Sequence, residues 1–174
     1  MKKFFFFAFA ILSAQYIFAQ TPSAEISRDA AGNKVVKGFL SKQELLTDTA
    51  FAWFPSGQKS FTPNADAVKG FAAGKDAVNI VVFGGTWCED THMALPHFFV
   101  TADAAGFPSA RITLIGVDRS KKTLYNLSEA FGITNVPTFI VMKNGKEIGR
   151  VVEFGTTGYP EREVAEMVAN AAKK

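Results

Sequence analysis

The stretch Val78–Pro96 reads V-N-I-V-V-F-G-G-T-W-C-E-D-T-H-M-A-L-P, and the rest of the chain is organised around it. An apolar, largely β-branched run (Ile80, Val81, Val82, Phe83) has the composition of a buried strand and stops at Gly84-Gly85. Trp87 follows, then Cys88, the only cysteine of the 174 residues, where a helix begins. Leu95, Phe98, Phe99 and Ala102 recur at helical spacing and give that helix a core-facing stripe. Pro96, inside it, removes one backbone hydrogen bond and predicts a kink. A buried strand thus hands a thiol to the first turn of a helix. The helix N-terminus carries unpaired N–H groups and about half a positive charge, which favours thiolate over thiol. Glu89 and Asp90, both negative, oppose it.

On the N-terminal side, Thr62-Pro63 reads as an N-cap and first helical residue, opening a helix through Val68 and Phe71 to about Gly74. Ser41-Lys42-Gln43-Glu44 is a capping box, followed by a short helix through Leu45 and Leu46. Residues 20–40 are polar and predict a loose leader ending in an extended piece at Val35–Leu40. Phe51, Trp53 and Phe54 form an aromatic cluster that packs under the sheet rather than meeting a partner, because aromatics supply so much core area. Pro55-Ser56-Gly57 predicts a turn.

On the C-terminal side, Arg111–Val117 is a second strand, reached by a helical crossover and therefore parallel to the first. A helix follows with Leu124, Leu127 and Phe131 on one face and Gly132 as its stop. Thr138–Met142 and Lys146–Glu153 are strands joined at Asn144-Gly145, a strong hairpin signal. The last helix, Pro160–Ala172, aligns Val164, Met167, Val168 and Ala171. The order predicts an α/β three-layer sandwich, a mixed sheet of about four strands flanked by helices.

The first residues have another character. Lys2 and Lys3 precede the apolar Phe4–Leu12, and Ile17-Phe18-Ala19-Gln20 closes the stretch. This is the pattern of a secretory signal, residues 1–19, removed after Ala19. Ser13 and Gln15 interrupt the run, which falls short of the ~20 residues that span a bilayer, so no membrane association is expected once the signal is gone. An exported, periplasmic or extracellular location follows. The formal net charge of +3 owes much to the two signal lysines, and the remaining chain is close to neutral. Nucleic acid is therefore excluded as a partner class. One cysteine cannot form an internal disulfide, so the fold must stand on its core.

The W-C pair at the end of the first core strand, within this order of elements, resembles the thioredoxin family. Pro96 lies eight residues after Cys88, where thioredoxins place the proline of the active-site helix. Phe131-Gly132-Ile133, Val136-Pro137-Thr138 and Lys143-Asn144-Gly145-Lys146-Glu147 match the family's helix end, cis-proline loop and hairpin. The resemblance implies a thioredoxin-like domain over residues 63–174, with residues 20–62 as a polar leader and helical N-terminal extension. It also implies a shallow groove of Trp87, Cys88, Thr91, Val136 and Pro137, with Cys88 as the nucleophile, Thr91 beside it in the catalytic pair, and Trp87, Val136 and Pro137 meeting the substrate.

Two departures bear on activity. Disulfide-reducing thioredoxins carry C-x-x-C, whereas this chain has Cys88-Glu89-Asp90-Thr91. The family's buried acid, six positions before the first cysteine, is here Val82. Both parts that resolve a mixed disulfide internally are absent, which resembles monothiol relatives. Thr91 stands one turn beyond Cys88, where its hydroxyl can bond a thiolate or serve as a small filler. Glu89 reads as the far end of a second capping box, Thr86-x-x-Glu89. His92, at i+4 from Cys88, stabilises the thiolate or is simply exposed. With His97 the only other histidine, no metal site is expected, and no cofactor motif is present. Two functions follow: monothiol exchange with a polypeptide or a low-molecular-weight thiol or disulfide, resolved by an external thiol, or a binding module that kept the groove and lost the chemistry. Peroxidase chemistry lacks its proline-and-threonine approach to the cysteine.

Overall fold

A computed structural model describes residues 24–173. The proposed signal, residues 1–19, lies outside them. The chain runs β1 (Glu25–Arg28), β2 (Lys34–Leu40), α1 (Lys42–Thr47), α2 (Trp53–Lys59), α3 (Ala65–Gly74), β3 (Asn79–Gly84) and α4 (Glu89–Ala104). It continues through β4 (Ile112–Gly116), α5 (Leu127–Ala130), β5 (Thr138–Lys143), β6 (Lys146–Val152) and α6 (Pro160–Ala172). Among the described residues all strands join one six-stranded sheet, in the order β1-β2-β4-β3-β5-β6. Only β3 and β4, linked through α4, are parallel; the other neighbours are antiparallel.

Side chains alternate across the central strands, as pleating requires. Ile80 and Val82 of β3, Leu114 of β4, and Phe139 and Val141 of β5 enter the larger core with Phe54, Phe71, Leu95, Phe98, Val164 and Val168 from four helices. Phe83, Ile115 and Ile140 form the smaller core with Val117, Ile133 and Val136, and Trp87 and Cys88 pack against it. The mixed sheet flanked by helices is as expected. The thiol stands at its smaller core.

Several local expectations are corrected. The sheet has six strands rather than about four: the extended piece expected at Val35–Leu40 is β2, and the residues before it, expected to be loose, supply β1 and close a hairpin with it. All four residues of β1 are exposed, so no buried face marks it as a strand. Its neighbour β2 joins the sheet by pairing antiparallel with β4. Pro55-Ser56-Gly57 lies inside α2 rather than in a turn. Pro55 sits in the first turn, where a missing N–H costs nothing. Asn64, not Thr62, caps α3, its side chain accepting from the Asp66 and Ala67 amides. The helix expected from Leu124 is broken, since Tyr125 and Asn126 adopt φ of 58° and 54°, and only Leu127–Ala130 is α-helical. The Ser41–Glu44 capping box is present, and α6 spans the residues expected of it. Among the described residues, no helix is long and apolar enough to cross a membrane.

Candidate functional site

Cys88 is the N-cap of α4, with φ −98° and ψ 123°. Its carbonyl accepts from the His92 amide at 3.0 Å and its own N–H donates to Gly85 O at 2.9 Å, which closes a tight turn between β3 and the helix. A Cβ on Gly85 would lie 2.8 Å from Trp87 Cε2 and 3.1 Å from Cys88 Cβ, so the turn needs glycine. The thiol caps nothing in its own helix. It donates instead across the site to Val136 O at 3.3 Å. The Val136–Pro137 bond is cis, and both residues are buried, whereas Cys88 is half-buried. The geometry therefore brings Cys88 to the peptide before Pro137, across a sequence separation of 48 residues.

Trp87 is half-buried beside the thiol. Its Nε1–H donates to Val117 O at 2.9 Å, and the Arg119 guanidinium carbon lies 4.8 Å from the ring centroid. Asp29 Oδ2 accepts from Arg119 Nη2 at 2.7 Å and Nε at 3.0 Å. Bonds from Arg119 and then Asn33 hold the Asp29 carboxyl down to about 2.

Thr91 is buried, and its hydroxyl oxygen accepts from the Gly85 amide at 3.2 Å. It secures the turn that presents the thiol. Thr86 is not the N-cap of α4. Its hydroxyl donates to Lys34 O at 2.8 Å and accepts from Val36 N–H at 3.1 Å, so β2 claims the group before Glu89 can. His92 is neither exposed nor aimed at the sulfur: its Nε2 is 2.9 Å from Thr86 O, and its ring stacks on Trp53 at 4.2 Å. That stack, with Phe51 and Phe54 buried, makes the aromatic cluster packing, as expected. His97 stacks on Phe61 at 3.9 Å, and burial lowers its pKa. Both histidines are engaged in packing.

Over 96 residues the chain is 31% identical to the thioredoxin of Staphylococcus saprophyticus, a match that covers 54% of this chain and 82% of that one. The chain belongs to the thioredoxin family. It is also 34% identical over 73 residues to the thioredoxin of Chlamydia muridarum, covering 42% of this chain and 66% of that relative. The corresponding match to thioredoxin H2 of Arabidopsis thaliana covers 50% of the relative, at 32% identity. The chain thus spans between half and two-thirds of the length of these two thioredoxins. No family model matches it. Among solved structures, reduced Schistosoma mansoni thioredoxin pre-protein is similar at 24% identity and a TM-score of 0.40, covering 63% of this chain and 93% of that one.

In this thioredoxin-family member the approach to the cysteine is tied to the N-terminal hairpin. The residues before Cys88 are held from the N-terminal hairpin, Thr86 by β2 and Trp87 through Arg119 by Asp29. Sequence reading missed Thr86, Asp29 and Arg119 in these roles. Their partners lie 50 and 52 residues away for Thr86 and 90 for Asp29, and no local pattern encodes such pairs.

Proposed function

We propose that this chain is an exported thioredoxin-family protein that exchanges disulfides through the single thiol of Cys88. The observation that carries the reading is the half-buried sulfur 3.3 Å from Val136 O, the carbonyl of the peptide before the cis Pro137, with the half-buried Trp87 next to it in the chain. The Cys88 thiolate attacks one sulfur of a substrate disulfide R–S–S–R′. A Cys88–S–S–R bond forms, R′–S⁻ leaves with the electron pair of the broken bond, and solvent protonates it. With Thr91 at the fourth position of the motif, no second protein sulfur can displace R. An external thiolate R″–S⁻ must attack the R-side sulfur of the mixed disulfide, so that an R″–S–S–R bond forms and the bond to Cys88 Sγ breaks with its electron pair returning to the Cys88 thiolate. Substrates are polypeptides or low-molecular-weight disulfides. The family membership supports this chemistry, and the apolar segment Phe4–Leu12 supports export.

The test is trapping. The protein lacking residues 1–19, incubated with a disulfide-bonded peptide, should accumulate an adduct of protein plus one peptide half. Excess small thiol should release it, and Cys88→Ser should form none. The alternative is a module that binds extended chains without chemistry, favoured by the engagement of Thr91 with Gly85 rather than with sulfur. It predicts equal, non-covalent peptide binding by the wild type and Cys88→Ser.

A further inference from the structure

We propose that Asp29 and Arg119 are positioning residues for Trp87, so that the N-terminal hairpin sets the aromatic wall beside the thiol. The inference rests on the exchange reading above, in which Trp87 meets the incoming chain. Three contacts in series carry it. Asp29 Oδ2 takes both Nη2 and Nε of Arg119, at 2.7 and 3.0 Å. The guanidinium so fixed lies over the indole, 4.8 Å from its centroid. The far edge of the indole is pinned by Nε1 to Val117 O at 2.9 Å.

Packing against the smaller core and one hydrogen bond at Nε1 still leave the outer part of the half-buried indole some freedom to rock. A cation held against the ring face takes away that freedom, and a cation–π contact is attractive in its own right. Arg119 is itself 54% exposed, so without an anchor its long side chain would sample many rotamers. Asp29 supplies the anchor. Its side chain is only 4% exposed, and its Oδ1 also accepts from the Ala31 and Asn33 amides at 2.9 Å, which fixes the turn between β1 and β2. The same hairpin grips the preceding residue, since Lys34 O and Val36 N–H both bond Thr86 Oγ1. Trp87 and Thr86 are the two residues leading into Cys88, and both take their placement from residues 29–36. The chain that approaches the sulfur therefore meets a wall assembled from the hairpin, the loop after β4 and the indole.

The readout is fluorine NMR of the protein lacking residues 1–19, labelled with 5-fluorotryptophan. Two resonances are expected, for Trp53 and Trp87, assigned by the signal lost in Trp87→Phe. Asp29→Asn and Arg119→Gln should shift the Trp87 resonance toward its solvent-exposed position and leave Trp53 in place, which reports an intact fold. In Asp29→Asn, capture of the disulfide peptide should slow about two- to fivefold, the scale of an exposed cation–π contact, with the rate toward iodoacetamide unchanged. A Trp87 resonance that stays put in both variants overturns the proposal. A wild-type protein that captures no peptide overturns the exchange reading instead, and the resonances still decide this one.

Discussion

Gly74→Ala is expected to destabilise the protein by about 3 kcal/mol, at the upper end of the usual cost of overpacking, although alanine is the better helix former by ~1 kcal/mol. Helices α3 and α6 meet backbone to backbone. A Cβ on Gly74 would stand 2.2 Å from Val168 O and 2.9 Å from Val168 C, atoms of a helix that cannot rotate aside. On Gly70, one turn earlier, it would stand 2.7 Å from Ala165 O, a milder clash. The helices must separate to admit either methyl, and separation opens voids around Phe71, Val164 and Val168 in the larger core. Urea unfolding should therefore rank the wild type above Gly70→Ala, and that above Gly74→Ala. A Gly74→Ala protein as stable as the wild type would mean that the two helices do not pack through these residues.

The second large effect has the opposite sign. Glu161, in the first turn of α6, is 1% exposed, and neither carboxylate oxygen has a hydrogen-bond partner among the described residues. Burial pushes its pKa up. Its own amide and the Arg162 guanidinium, 3.7 Å away, pull the other way, and neither completes a hydrogen bond. Because the folded protein holds this proton more tightly than the unfolded chain, stability falls as pH rises from the ordinary glutamate range through the raised folded value. Glu161→Gln removes the charge and Glu161→Met removes the polarity as well. Both should be more stable than the wild type at pH 8, Met by about 1–3 kcal/mol, the cost of a buried polar group without a partner. The gain should shrink as pH falls toward 4. Thermal unfolding across that range checks the sign, and a wild type that gains stability with rising pH relative to Glu161→Gln would refute it.

What could be read in the sequence was what is encoded locally or by long periodic runs. The α6 helix carries its proline at the start and an apolar stripe along its length, and both bounds were legible. Ser41–Glu44 and Thr86–Glu89 are the same pattern with different outcomes. Among the described residues the Ser41 hydroxyl bonds only Glu44 of its own box, whereas the Thr86 hydroxyl is taken by Lys34 and Val36 from a strand about 50 residues earlier. Strand β1 has no buried face and so no periodic signal. Tyr125 and Asn126 keep helical spacing between Leu124 and Leu127, but their left-handed backbone breaks the helix, and spacing does not report φ. At the site, Trp87 and Cys88 were legible from the strand-to-helix junction, and Val136 and Pro137 through the family resemblance. The Asp29–Arg119 pair was not, because two ordinary surface-type residues 90 positions apart meet only once the hairpin has folded onto the sheet.

The central claim is that Cys88 presents its sulfur to solution while the protein is folded. Iodoacetamide treatment of the native protein lacking residues 1–19, followed by whole-protein mass analysis, tests it most directly. The account predicts that the entire population gains one carbamidomethyl group without denaturant, and that Cys88→Ser gains none. Labelling that occurs only after unfolding would contradict it.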